Sequence, residues 1–307
     1  MEYVLQTFDI VKKYNKQRVL DKVNMNIQKG DIYGFVGENG SGKTTIIRLV
    51  TGLIFADEGS YELFGVSNKD NKILEKRKKV GAVVETPSIY RNMTAYENLK
   101  TQCLLLGVND ENKIKEVLEI VGLADLYDSK KHAGNFSLGM RQRLGIAMAL
   151  LNEPEFLILD EPMNGLDPEG IVSMRELIIH LNQNKGITFL ISSHILTELS
   201  LIANRYGIIS KGKIIKEISY EDMKKECDKS ITIQSQDNDK LKEVITKYID
   251  ANNVEIVKNG VKVFGDININ ELLNKIIKAK IQIDSIICNE SSFEEYYLAV
   301  IRGEKHG

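Results

Sequence analysis

One nine-residue stretch constrains this chain more than any other: Gly37-Glu38-Asn39-Gly40-Ser41-Gly42-Lys43-Thr44-Thr45, a G-x-x-x-x-G-K-T loop. The apolar run Ile32 to Val36 precedes it, and Ile46, Ile47, Leu49 and Val50 follow at helical spacing. That context predicts strand, tight turn and helix, the setting in which such a loop cradles phosphate. Gly37, Gly40 and Gly42 are expected at positive φ, so that successive N–H groups face one anion at the positive end of the helix. Lys43 is then the side chain to reach the β- and γ-phosphates of a nucleotide, and Thr44 the hydroxyl to meet Mg²⁺.

Composition narrows the surroundings. The 307 residues suffice for two domains, and 43% hydrophobic with 27% charged residues describes an ordinary soluble globular protein. A net charge of −2 gives no electrostatic case for nucleic acid, and no nucleic-acid partner is expected. Cys103, Cys227 and Cys288 lie far apart, which fits reduced thiols and neither a metal-ligand spacing nor a disulfide framework. No signal peptide is recognisable, and no apolar run approaches the ~20 residues needed to span a bilayer. Work at a membrane would require another chain to do the spanning.

Periodicity places the remaining chemistry. Val4 to Ile10 and a second run through Val23, Met25 and Ile27 read as strands, with Tyr14 between them. Tyr14 has two readings on its own, a packing residue or an aromatic that stacks on adenine. Gly59 to Phe64 and Val80 to Val84 read as strands, the second leaving into a loop at Glu85-Thr86-Pro87. Thr94-x-x-Glu97 is a capping box opening a helix through about Leu106, and Asn112 to Val121 repeats at helical spacing. Residues 88–152 are therefore expected to form a helical subdomain that ends in a helix started by Ser137. Phe156 to Leu159 is a strand buried on both faces that runs into Asp160-Glu161. Helix is expected over Gly170 to Leu181, then a strand over Ile187 to Ile191 that His194 soon follows. Phosphate loop, Glu85, Asp160-Glu161 and His194 all follow strands, so they can converge where open α/β sheets bind ligands.

Texture changes near residue 220. A strand over Ser230 to Ser235, a helix over Lys240 to Tyr248, and a hairpin of Val254 to Val257 and Val261 to Phe264 about Asn259-Gly260 are expected. A helix over Asn270 to Lys278, a strand over Ile281 to Ile287 and a last helix capped by Ser291-x-x-Glu294 complete it. The order strand-helix-strand-strand-helix-strand predicts a small α+β, ferredoxin-like accessory domain over 221–307, after a first domain over 1–220.

Residues 1–220 resemble the nucleotide-binding domain of ATP-binding cassette (ABC) transporters. The family's signature is matched by Phe136-Ser137-Leu138-Gly139-Met140 with Arg141-Gln142-Arg143, although the usual third-position Gly and fifth-position Gln are absent. Its later motifs stand in order as Phe156 to Asp160 with Glu161, Asn164-Gly165-Leu166-Asp167, and Ser192-Ser193-His194. The resemblance implies an α/β P-loop fold, a mixed sheet core with a helical subdomain. It also implies ATP and Mg²⁺ as ligands. Asp160 is then expected to hold Mg²⁺, Glu161 to orient and deprotonate the attacking water, and His194 to contact the γ-phosphate. Ser137 and Gly139 would contact ATP held by a second copy in a head-to-tail sandwich dimer, and Tyr14 takes the adenine-stacking position.

Most members carry Gln where this chain has Glu85, so a carboxylate is expected at that Mg²⁺-facing position. Glu85, the Ser-Leu-Gly-Met signature and Asn164 to Ile171 together resemble the bacitracin-export and lantibiotic-immunity branch. That branch implies an ATPase powering removal of a peptide antibiotic through separate integral-membrane permease subunits, at the cytoplasmic face of the membrane. Exporters of other drugs, ions or lipids share parts of the pattern. An importer cassette fits less well because of Glu85. A soluble cassette acting on ribosomes or DNA fits less well because the chain has one cassette and no coiled-coil insert.

Overall fold

The computed structural model describes residues 2–302 apart from Lys16, Cys227, Asp228, Asn259, Asp266, Ser291 and Ser292. Asn259 of the expected hairpin turn, Ser291 of the expected last cap and Cys227 thus lie outside the described residues. Two compact units divide the chain, Met1–Tyr220 and Glu221–Gly307.

In the first unit, β1 (Tyr3–Tyr14) and β2 (Gln17–Gln28) form an antiparallel pair. Both are longer than their apolar runs, because bulges in their pairing let exposed polar residues continue the ladder. Tyr14 is consequently the last residue of β1 and not part of a connecting loop. β3 (Ile32–Val36) is buried throughout, leads into the phosphate loop, and is followed by α1 (Lys43–Val50). β4 (Glu58–Leu63) pairs with β1, and the short β5 (Val66–Ser67) completes a four-stranded antiparallel sheet ordered β2-β1-β4-β5.

After α2 (Ile73–Arg77) comes β6 (Val80–Val83), and between it and the next strand of the chain lie only helices. These include α3 (Ala95–Leu106), α4 (Asn112–Ile120) and α5 (Leu138–Leu150). The capping box at α3 forms as expected: Glu97 N–H donates to Thr94 Oγ1 at 3.2 Å and Thr94 N–H to Glu97 Oε2 at 2.7 Å. Ser137 caps α5 by accepting from Met140 N–H at 3.2 Å.

The chain then alternates through β7 (Phe156–Asp160), α6 (Pro168–Lys185), β8 (Thr188–Ser193), α7 (Leu196–Ser200), β9 (Arg205–Ser210) and β10 (Lys213–Ser219). α6 begins two residues earlier than its apolar pattern, because Asp167 accepts from Gly170 N–H at 3.0 Å and Pro168 occupies the first turn. The six-stranded sheet has the order β10-β9-β3-β8-β7-β6, parallel except for the edge strand β10. A single core joins the two sheets through α1: Ile46, Ile47, Leu49 and Val50 are fully buried among residues of β1 to β4, β7 and β8. Rigid seating of α1 fixes the phosphate loop at its N-terminus.

The second unit opens with α8 (Tyr220–Glu226), which starts on the last residue of the first. β11 (Lys229–Gln234), α9 (Asn238–Thr246), β12 (Val254–Val257), β13 (Gly260–Phe264), α10 (Ile269–Lys278), β14 (Ser285–Glu290) and α11 (Phe293–Arg302) follow. The sheet order β12-β13-β11-β14, all antiparallel, is the ferredoxin-like arrangement, and α9 and α10 contribute Leu241, Ile245, Leu272 and Ile276 to its core. The last strand lies four residues later than its apolar signal. Ile281, 8% exposed, packs into this core from the connecting segment instead.

Candidate functional site

The phosphate loop takes its shape from two different uses of glycine. Gly40 and Gly42 have φ of +80° and +112°, where a side chain is disfavoured. Gly37 does not share that conformation, contrary to expectation; a Cβ there would lie 2.4 Å from Ile209 O, so it is small because β9 passes close behind it. Glu38, Asn39 and Gly40 are exposed, while Thr44 and Thr45 are half-buried in the first turn of α1. Ser41 Oγ is buried with no hydrogen-bond partner. Lys43, 5% exposed, folds back over the loop and donates to Gly37 O at 2.7 Å and Glu38 O at 3.2 Å. A buried ammonium, a row of backbone donors and an unpaired hydroxyl suit an anion with several oxygens.

Parallel register brings the other groups beside it. Val36 pairs with Ser193 and Asp160 with Ser192, so the ends of β3, β8 and β7 stand at one level. Asp160 is buried and accepts from Ser192 Oγ at 2.5 Å. Glu161 turns sharply out of β7 at φ +51°, a left-handed conformation that costs a residue with a Cβ about 1–3 kcal/mol. Its carboxylate meets Lys43 Nζ at 3.3 Å and His194 Nδ1 at 2.7 Å, and His194 N–H donates to the same oxygen at 3.4 Å. Lys43, Asp160, Glu161 and His194 therefore form one cluster, with Glu161 occupying an anion's place between two nitrogen groups.

Glu85 stands apart. It also leaves its strand in a left-handed conformation, φ +60°, but its carboxylate pairs with Arg48 Nη2 of α1 at 2.5 Å. β6 is the edge strand beyond β7, one strand further from the phosphate loop than Asp160. The next turn of that loop is held by packing: a Cβ on Gly145 of α5 would lie 2.6 Å from Pro87 Cβ. Asn98 of α3, fully buried, accepts from Tyr90 N–H at 2.7 Å and donates to Thr94 O at 2.8 Å. Sequence reasoning missed Asn98, because one Asn in a helical pattern carries no signal of burial.

Ser137 and Gly139, at the start of α5, line a second concavity with Gly165, Leu166 and Asp167. No hydrogen bond or ion pair joins this group to the Lys43 cluster among the described residues. Tyr14 is 44% exposed, with Lys12 Nζ 5.5 Å from its ring centre. Among the described residues no three His, Cys, Asp or Glu side chains gather to hold a metal unaided. A buried carboxylate, Asp160, and a Thr hydroxyl in the first turn of α1 are the donor types that suit Mg²⁺, which keeps most of its shell as water and phosphate oxygen.

A phosphate loop before a parallel sheet, with acid and imidazole at neighbouring strand ends, defines a P-loop nucleoside triphosphatase. The family described as ABC transporter matches residues 20–164. Bacitracin transport ATP-binding protein BcrA of Bacillus licheniformis is 43% identical over 305 residues, 99% of this chain and 99% of that protein. Lantibiotic transport ATP-binding protein SrtF of Streptococcus pyogenes is 44% identical over 220 residues, 71% of this chain and 92% of that one. Among solved structures, the ADP conformation of MJ1267, an ATP-binding cassette of an ABC transporter, aligns with a TM-score of 0.63 at 31% identity, covering 71% of this chain and 91% of that chain. The chain belongs to the ATP-binding subunits of ABC transporters, and it is an ATPase.

Proposed function

We propose that this ATPase powers export or removal of a peptide antibiotic, of the bacitracin or lantibiotic kind, through separate membrane permease subunits. The observation that carries the substrate class is end-to-end similarity to the bacitracin transport protein, which includes residues beyond the cassette. No helix among the described residues is long and apolar enough to cross a membrane, which fits a subunit docked at the cytoplasmic face. The groove between the Val83–Ser88 strand exit, α3 and α5, lined by Pro87, Gln102, Leu106 and Met148, is the proposed seat for a cytoplasmic helix of the permease.

The proposed chemistry is hydrolysis of ATP by in-line attack of water. Tyr14 stacks on adenine, and the Gly37 to Thr45 loop holds the phosphates through backbone N–H groups and Lys43. Thr44 and Asp160 would hold Mg²⁺, with Glu85 contributing once released from Arg48, and the ion would supply positive charge against that of the phosphates. Glu161 exchanges Lys43 for the attacking water, orients it and takes its proton, while His194 holds the γ-phosphate end. Ser137 and Gly139 of a second copy close over the same ATP, so turnover requires a head-to-tail dimer.

Deletion of the gene, its restoration, and restoration with Glu161→Gln test the substrate class against bacitracin and a panel of lantibiotics. Sensitisation to one compound, rescued only by the wild-type form, is expected. An unchanged panel with confirmed expression would move the substrate to another drug, ion or lipid.

A further inference from the structure

Ser192 has no part in the scheme above, yet its hydroxyl is where the two carboxylate-bearing residues meet. It is fully buried in β8, directly opposite Asp160 of β7. Its Oγ lies 2.5 Å from Asp160 Oδ1 and 2.9 Å from Glu161 N. An ionised carboxylate only accepts and a backbone N–H only donates, so both bonds have a forced direction: the hydroxyl gives its proton to Asp160 and takes the Glu161 N–H. The Ser192 carbonyl reaches the same N–H at 3.2 Å.

We propose that Ser192 is a positioning residue that locks Asp160 and Glu161 into one unit, so that the metal-holding and water-activating carboxylates keep a fixed geometry. This rests on the roles proposed above for those two residues. Two physical consequences follow from the bonds. Committing Oδ1 of Asp160 to a short charge-assisted bond selects one rotamer and leaves a defined oxygen for the metal or its water. Capturing the Glu161 N–H, alongside the Ser192 carbonyl, adds a second restraint on the left-handed turn at φ +51°. That turn is what delivers the Glu161 carboxylate to within 2.7 Å of His194 Nδ1 and 3.3 Å of Lys43 Nζ. The Ser193 hydroxyl, by contrast, bonds within its own turn, donating to Ile195 O at 3.1 Å and accepting from Ile195 N–H at 2.9 Å, so the two adjacent hydroxyls do different jobs.

The test uses the full chain with Ser192→Ala, Ser192→Thr and Glu161→Gln. Loss of one hydrogen bond to a charged group predicts a kcat for Ser192→Ala about 10- to 100-fold below wild type. Its KM for ATP should change by no more than about twofold, while half-saturating Mg²⁺ rises several-fold, because the phosphate loop is untouched. Ser192→Thr, which keeps the hydroxyl, should restore most of both. Binding is read without turnover by electron paramagnetic resonance of Mn²⁺ with ATP in the Glu161→Gln background, where adding Ser192→Ala should weaken Mn²⁺. Thermal unfolding of each variant accompanies these measurements. Wild-type kcat and unchanged Mn²⁺ affinity for Ser192→Ala, with Glu161→Gln inactive, overturn the inference alone. So does a loss of activity that follows a lowered Tm while Mn²⁺ affinity is unchanged. Turnover by Glu161→Gln at the wild-type rate overturns the role of Glu161 and the inference with it.

Discussion

Asp31 and Glu155 show how environment gives identical chemistry opposite effects. Burial pushes the Asp31 carboxyl above its ordinary value, only partly offset by the Gln28 N–H that donates to it at 2.8 Å. The unfolded chain therefore releases this proton first, and as pH rises from the ordinary Asp value of about 3.9 toward the raised folded value, stability falls. Glu155 is held below its ordinary value by its bond to Lys79, so its contribution is present above that value and disappears as pH falls through the lowered one. The expectation for Asp31→Asn is a Tm difference from wild type that becomes more positive between pH 4 and pH 7. A difference that is flat or moves the other way in calorimetry would contradict a raised Asp31. Nothing local in the sequence marks Asp31 as covered, since that depends on chain far from it, here Thr188 and Asn204 around the start of β3.

Elements were legible where their signals are local. The α3 capping box, the Ser137 cap and the buried strands β3 and β7 all rest on residues within a few positions of one another. Boundaries failed where packing extended an element, as in β1, or replaced one, as at Ile281. Contact between the loop after β6 and α5 was likewise hidden, because Pro87 and Gly145 are distant in sequence and meet only through the fold. Gly145→Ala should force that loop outward and lower stability by about 1–3 kcal/mol, as overpacking of a close contact does. Because Glu85 lies two residues before Pro87, the same variant should alter ATPase activity. A Gly145→Ala protein with wild-type Tm and turnover would show the loop absorbs the methyl freely.

On the scale of the whole molecule, the proposed head-to-tail dimer sets the Lys43 cluster of one copy against the Ser137–Gly139 concavity of another. The Glu161→Gln chain with ATP and Mg²⁺ should sediment as a dimer, whereas chelation of Mg²⁺ should return it to monomer. Adding Ser137→Arg, which puts a long cation where the partner's phosphate is expected, should abolish the dimer without removing ATP binding at the phosphate loop. A dimer unaffected by Ser137→Arg would refute the head-to-tail arrangement. The ferredoxin-like unit has its own core of Ile231, Ile233, Val261, Val263 and the inner faces of α9 and α10, and so is stabilised by contacts within itself.

Sequence alone determined the phosphate loop, the α/β class, the order of motifs and the family resemblance, because each depends on residue types at short, fixed spacings. Tertiary structure decided which of those motifs touch. Strand order and parallel register placed Asp160 opposite Ser192 and the ends of β3 and β8 at one level, while Glu85 came to rest one strand further out against Arg48. Register is a relation between segments separated by dozens of residues, and no local pattern encodes it. The short bonds that join Ser192 to both carboxylate residues, and Glu161 to Lys43 and His194, exist only once the sheet has set that register.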